Sequence, residues 1–133
     1  MAAGVSVEID EAFVERLVME LARFGAWGET GVWRTVYSPE WVGAMDLYAA
    51  WCAEAGLAVH RDAVGNVWGR LAGREPGPSI VSGSHMDSQR PGGRYDGALG
   101  ALAGLIAIRA LREQFGAPRR TLEALALCEE EGS

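Results

Sequence analysis

An apolar run near the end of this sequence closes on three consecutive carboxylates, Glu129, Glu130 and Glu131, and a stretch well upstream gathers His85, Asp87 and Asp96. Imidazole and carboxylate are the side chains that hold divalent cations through nitrogen and oxygen and that exchange protons near neutral pH. In an extended segment side chains two apart point the same way, so His85 and Asp87 face together. The Asp87 carboxylate can then accept a hydrogen bond from the imidazole nitrogen turned away from a metal, which fixes the tautomer and the ring. Asp96, past the Gly92-Gly93 turn, offers two oxygens suited to bridging two cations about 3.5 to 4 Å apart. Glu130 and Glu131 supply a general base and a further ligand. Carboxylates crowded in this way repel one another and raise each other's pKa unless a cation is bound, and a divalent metal is the simplest counter-charge.

Elements of the right kind stand ready to bring these groups together. Residues 97–114 carry Leu99, Leu102, Leu105, Ile106, Ile108 and Leu111, a set that suits a buried helix, and they lie between a strand at Ile80 and a strand over 122–128. Strand, helix, strand reads as a right-handed crossover joining parallel strands, so both acidic clusters leave the carboxyl edge of one sheet, where open α/β sheets place their ligands. Gly97, Gly100 and Gly104 faintly resemble a nucleotide-binding loop, but they fall inside the helix rather than before it, and close packing on the sheet explains them better.

Earlier in the chain, Phe13, Leu17, Leu21 and Phe24 recur at helical spacing over 9–24, with Gly25 as a stop and acidic residues in the first turn. A loop over 26–37 follows. Ser38-Pro39 starts a second helix reaching Ala55, with Val42, Met45, Ala49 and Cys52 on its apolar face. Residues 57–61 and 66–71 alternate in polarity around a turn served by Gly65 and Asn66, which predicts a hairpin. The tryptophans read as packing residues and His60 as structural or exposed.

The chain of 133 residues fits one α/β domain with no internal boundary. A net charge of −6, from 12 basic and 18 acidic residues, disfavours nucleic acid and anionic membranes as partners. The longest apolar run, 98–108, falls short of the roughly 20 residues that span a bilayer. No basic region precedes an apolar one at the start, so no signal peptide is expected, and Cys52 and Cys128 read as reduced thiols of a cytoplasmic protein.

The stretches GSHMDSQRPGGRYDGALG and CEEEGS, with YSPEW, DAVGNVWGRLAG and FGAPRRTLEALALCEEEGS, resemble the dinuclear-metal amidohydrolases that include allantoate amidohydrolase, N-carbamoyl-L-amino-acid hydrolase and β-ureidopropionase. These are relatives of the zinc aminopeptidases and aminoacylases. The resemblance implies a three-layer, zinc-exopeptidase-like catalytic domain, of which residues 1–133 form the amino-terminal portion, with a mixed sheet and flanking helices. It implies two divalent ions, zinc or manganese, with His85 ligating one, Asp96 bridging and Glu131 ligating the other. Glu130 becomes the general base and Asp87 the residue behind His85. The expected reaction is hydrolysis of a linear C–N bond in a small ureido or amide substrate, allantoate or an N-carbamoyl-L-amino acid, releasing ammonia and carbon dioxide. Relatives are commonly homodimers and carry a lid domain and further ligands in sequence beyond this stretch, so the isolated chain is expected to turn over slowly or not at all. Two other readings stand beside this one: a non-catalytic remnant or association domain of the same fold, and a related aminoacylase or peptidase.

Overall fold

The computed structural model describes residues 4–132. Asp10 opens the first helix. Its carboxylate accepts the amide hydrogens of Ala12 and Phe13, which have no partner inside the helix, and α1 runs Glu11–Leu21. This cap places the start at Glu11 rather than Ile9. The other end also comes earlier than the apolar spacing suggests, because Phe24 sits in a turn that passes through Gly25 at φ 84°. Two short strands, β1 (Ala26–Trp27) and β2 (Gly31–Val32), pair within the segment expected to be a loop.

The next helix, α2 (Pro39–Glu54), begins as expected, with the Ser38 hydroxyl accepting the Trp41 amide hydrogen. Its buried face is Trp41, Ala44, Met45, Tyr48, Trp51 and Cys52. That corrects part of the expected face: Val42 is 44% exposed and Ala49 only half-buried. The large rings of Trp41 and Tyr48 remove far more apolar surface from water than Val42 and Ala49 would, and they set the rotation of the helix.

A hairpin of β3 (Ala58–Arg61) and β4 (Val67–Leu71) follows, then β5 (Ile80–His85), the short β6 (Gly92–Gly93) paired with β2, the helix α3 (Ala98–Phe115) and β7 (Leu122–Leu127). The larger sheet has the order β3-β4-β7-β5. Its β5 and β7 run parallel and are joined by α3, and its other pairs are antiparallel, which gives the expected mixed sheet. His85 pairs with Leu127 in the ladder, so the two acidic segments leave the same edge.

Glycines let α3 lie close on β5. A Cβ on Gly104 would come within 2.6 Å of the Ser82 carbonyl oxygen, and one on Gly100 within 2.8 Å of the Ser84 Cβ. The buried residues of α3 include Ala101, Leu102, Leu105, Ile106 and Ile108, whereas Leu99, expected inside, is 40% exposed. Tyr48 donates from its hydroxyl to the Ala101 carbonyl and ties α2 to α3. Trp41 and Trp51 lie in the core, while the exposed rings of Trp27 and Trp33 meet at a tilt of 48°, with centroids 4.8 Å apart, beside the β1–β2 pair. His60 is exposed, and Cys52 and Cys128 are both free thiols.

Candidate metal centre

His85 ends β5, and Asp87 follows it, both buried. The imidazole Nδ1 lies 2.9 Å from the Asp87 carbonyl oxygen and 3.1 Å from Asp87 Oδ1. A carbonyl and a carboxylate only accept, so a ring hydrogen belongs on Nδ1, and Nε2 is the nitrogen that the neutral ring would offer to a metal. Around Nε2 stand Asp96 Oδ1 at 3.7 Å, Glu130 Oε2 at 4.0 Å and Glu131 Oε1 at 4.0 Å. These separations are too long for hydrogen bonds. Donors bound at about 2.0 to 2.2 Å around one tetrahedral ion stand roughly 3.3 to 3.6 Å apart, so the observed spacing is close to that of ligands around a common cation. Ligand atoms of His85, Glu130 and Glu131 all lie within 4.8 Å of one another.

The structure therefore brings together all five residues singled out from the sequence. Asp87 does more than back His85. Its Oδ1 accepts the Glu130 amide hydrogen and its Oδ2 that of Glu131, both at 3.0 Å, so one carboxylate fixes the histidine and the acidic segment together. Glu131 is held by the Gln89 amide at 3.2 Å. That bond pulls its carboxyl pKa down, but a hydrogen bond with Asp96, desolvation and the charges of Asp96 and Glu130 outweigh it, and the net direction is up. Glu131 and His85 are enclosed, whereas the side chains of Asp96 and Glu130 are 64% and 63% exposed and face solvent. One imidazole and three carboxylates form a donor set suited to zinc or manganese.

Arg34 is a residue that the sequence did not flag. It is 2% exposed, and its guanidinium donates to the carbonyls of Met86 (2.8 Å), Leu21 (3.0 Å) and Phe24 (2.9 Å), bracing the turn between His85 and Asp87. Burial lowers its pKa to about 10 against the raising influence of the Asp87 charge. Gly97 is also more than a packing glycine, because a Cβ there would overlap the His85 imidazole.

The mixed sheet and its crossover match solved structures of the amidohydrolase/peptidase class, among them one from Burkholderia cenocepacia. A solved amidase of the hydantoinase/carbamoylase family from Burkholderia vietnamiensis superposes with a TM-score of 0.92 at 37% identity, covering 98% of this chain and 32% of that one. The model of peptidase family M28 matches residues 66–133, and the chain belongs to that family. Among curated relatives, allantoate amidohydrolase of Bacillus subtilis (strain 168) is 48% identical over 114 residues, 85% of this chain and 28% of that protein. N-carbamoyl-L-amino-acid amidohydrolase of Pseudomonas sp. (strain NS671) is 42% identical over 123 residues, 90% of this chain and 30% of that protein. The chain thus spans less than a third of the length of these relatives.

Proposed function

We propose that the chain is the amino-terminal portion of the catalytic domain of a metal-dependent amidohydrolase that cleaves a linear ureido or amide C–N bond. The substrates favoured by the similarities are allantoate and an N-carbamoyl-L-amino acid, with ammonia and carbon dioxide as products. The observation that carries the reading is the His85 imidazole, turned by Asp87 at Nδ1 so that its Nε2 is faced by three carboxylates at 3.7 to 4.0 Å.

His85, Asp96 and Glu131 would hold the metal. When bound, two divalent cations supply Lewis acidity, polarising the scissile carbonyl and making a water easier to deprotonate. Glu130, on the open side of the cluster, accepts the proton of that water on its carboxylate and returns it to the leaving nitrogen. Asp87 keeps the histidine hydrogen on Nδ1 and the Glu130 and Glu131 backbone in place throughout. Three ligands serve two ions poorly, so the isolated chain is expected to bind metal weakly and to turn over slowly or not at all.

The test measures metal content and ammonia release from allantoate and from an N-carbamoyl amino acid, on this chain and on the product of the full reading frame around it. The longer product is expected to hold about two ions. Glu130→Gln should leave that content unchanged and lower turnover by about 10²- to 10⁴-fold. The substrate that releases ammonia separates the two candidates. If neither protein retains zinc or manganese, the catalytic reading fails and a non-catalytic domain of this fold takes its place.

A further inference from the structure

The acidic segment is pinned at both of its ends, and only the Asp87 end belongs to the site described above. Cys128 is the first residue past β7, beyond the last ladder pair of Val67 with Ala126. Its amide hydrogen is accepted by Asn66 Oδ1 at 2.7 Å, and its carbonyl accepts from Trp41 Nε1 at 2.8 Å. Both backbone groups of Cys128 are thus satisfied by side chains from the hairpin and α2, where a strand partner is no longer available.

The Asn66 side chain is itself held in one orientation. Its Nδ2 donates to Asp62 Oδ2 at 2.7 Å, and a carboxylate can only accept, so Oδ1 must be the atom that faces Cys128. Asp62 in turn takes the amide hydrogens of Val64, Gly65 and Asn66 on Oδ1 and the Trp68 indole hydrogen on Oδ2. The turn is closed by Asp62 and by Gly65 at φ 100°. A residue serving only that turn needs no bond to a partner 62 positions away.

We infer that Asn66, together with Trp41, is a positioning residue for the metal centre: it clamps Cys128 so that Glu130 and Glu131 stand at the right distance from His85. The consequence for metal binding rests on the function proposed above, whereas the ordering of the segment does not. Between the clamp at Cys128 and the Asp87 carboxylate, the segment 128–131 has little freedom left, and the carboxylates gain a fixed position without any bond to their own oxygens from the clamp.

The experiment compares the chain with Asn66→Ala and with Trp41→Phe, which keeps an apolar ring in the core but removes the indole N–H donor along with part of the ring's bulk. Amide hydrogen exchange, Zn²⁺ affinity by chelator competition and the thermal midpoint are read on each. Loss of protection at Cys128 in Asn66→Ala is trivial, since its acceptor is gone. The clamp predicts that the Glu130 and Glu131 amides, whose Asp87 acceptor is untouched, also exchange about five- to tenfold faster while amides inside β4 and β7 do not. Zn²⁺ should bind about 10- to 100-fold more weakly. The Asp62 carboxyl, held at about 2 chiefly by the Asn66 amide, should titrate nearer its ordinary value in Asn66→Ala. If Asn66→Ala does not fold, Trp41→Phe decides the matter by the same Glu130 and Glu131 amides.

Wild-type protection at those two amides in the folded variants, with only a lower thermal midpoint, would overturn the clamp. If neither the unaltered chain nor the product of the full reading frame binds Zn²⁺, the metal reading fails, and the exchange data still settle whether Asn66 orders the segment.

Discussion

A methyl group on Gly97 would overlap the His85 imidazole, and the backbone there stands at φ 71°, a conformation that L side chains rarely adopt. Two independent constraints therefore meet at one position, one from the chain and one from the ring it supports. Gly97→Ala should destabilise the fold by roughly 1 to 3 kcal/mol and displace the imidazole from the carboxylates, with Zn²⁺ affinity falling by at least about tenfold. Gly93→Ala is the control, because a Cβ there meets nothing within 4 Å. Denaturant melts and the ring-nitrogen NMR shifts of His85 check both variants, and an unchanged His85 environment in a folded Gly97→Ala would refute the steric argument. The convergence of the five candidate residues was legible because residue type, the two-residue spacing of His85 and Asp87 and the apolar crossover all point to one edge. The second task of Asp87 was not, since the amide hydrogens of Glu130 and Glu131 are backbone groups that carry no sequence signature.

The crossover from β5 through α3 to β7 could be read because its apolar residues are dense enough to fix both the elements and their order. The face of α2 was read wrongly in part, since Val42 and Ala49 fit the period as well as Trp41 and Tyr48, and only packing against the sheet and α3 chooses between them. Arg34 is the sharpest case of an element-level link that spacing cannot reveal. It joins the carboxyl end of α1, through Leu21 and Phe24, to the end of β5, through Met86, and all three acceptors are carbonyls. Carbonyls at a helix terminus lack intrahelical donors and sit at the negative end of the helix dipole, so a buried cation is well placed there. Arg34→Met would keep the bulk and remove the Arg34 donor from all three carbonyls, of which Leu21 keeps the Phe24 amide hydrogen. A loss of about 3 to 5 kcal/mol in urea unfolding is expected. Arg34→Lys should recover only part of it, because an ammonium group cannot reproduce the planar fork that reaches three separate carbonyls. Full stability in Arg34→Met would show that the brace contributes nothing.

At the scale of the whole molecule, the cluster joins parts of the chain that are far apart in sequence: the end of β5, the entry to α3 and the exit from β7. Cations held by His85, Asp96 and Glu131 would therefore stabilise the fold as a unit, in proportion to the logarithm of their concentration over the dissociation constant. At a hundredfold excess over that constant the gain is about 2.7 kcal/mol, which for a chain of this size raises the thermal midpoint by roughly 10 °C. The sign of the pH dependence follows from Glu131. Its carboxyl holds a proton above the ordinary carboxylate range in the metal-free fold, so the crowding with Asp96 and Glu130 costs stability as pH rises through that raised range. A bound cation must displace this proton, and it removes the crowding once the proton has gone. The shift in thermal midpoint on adding Zn²⁺ or Mn²⁺ should accordingly be large near neutral pH, shrink as pH falls through the raised Glu131 range, reverse with chelator and vanish in His85→Ala. A midpoint that ignores the cation at every concentration, or that moves equally in His85→Ala, would show that the converging carboxylates are a solvated acidic edge rather than a metal centre.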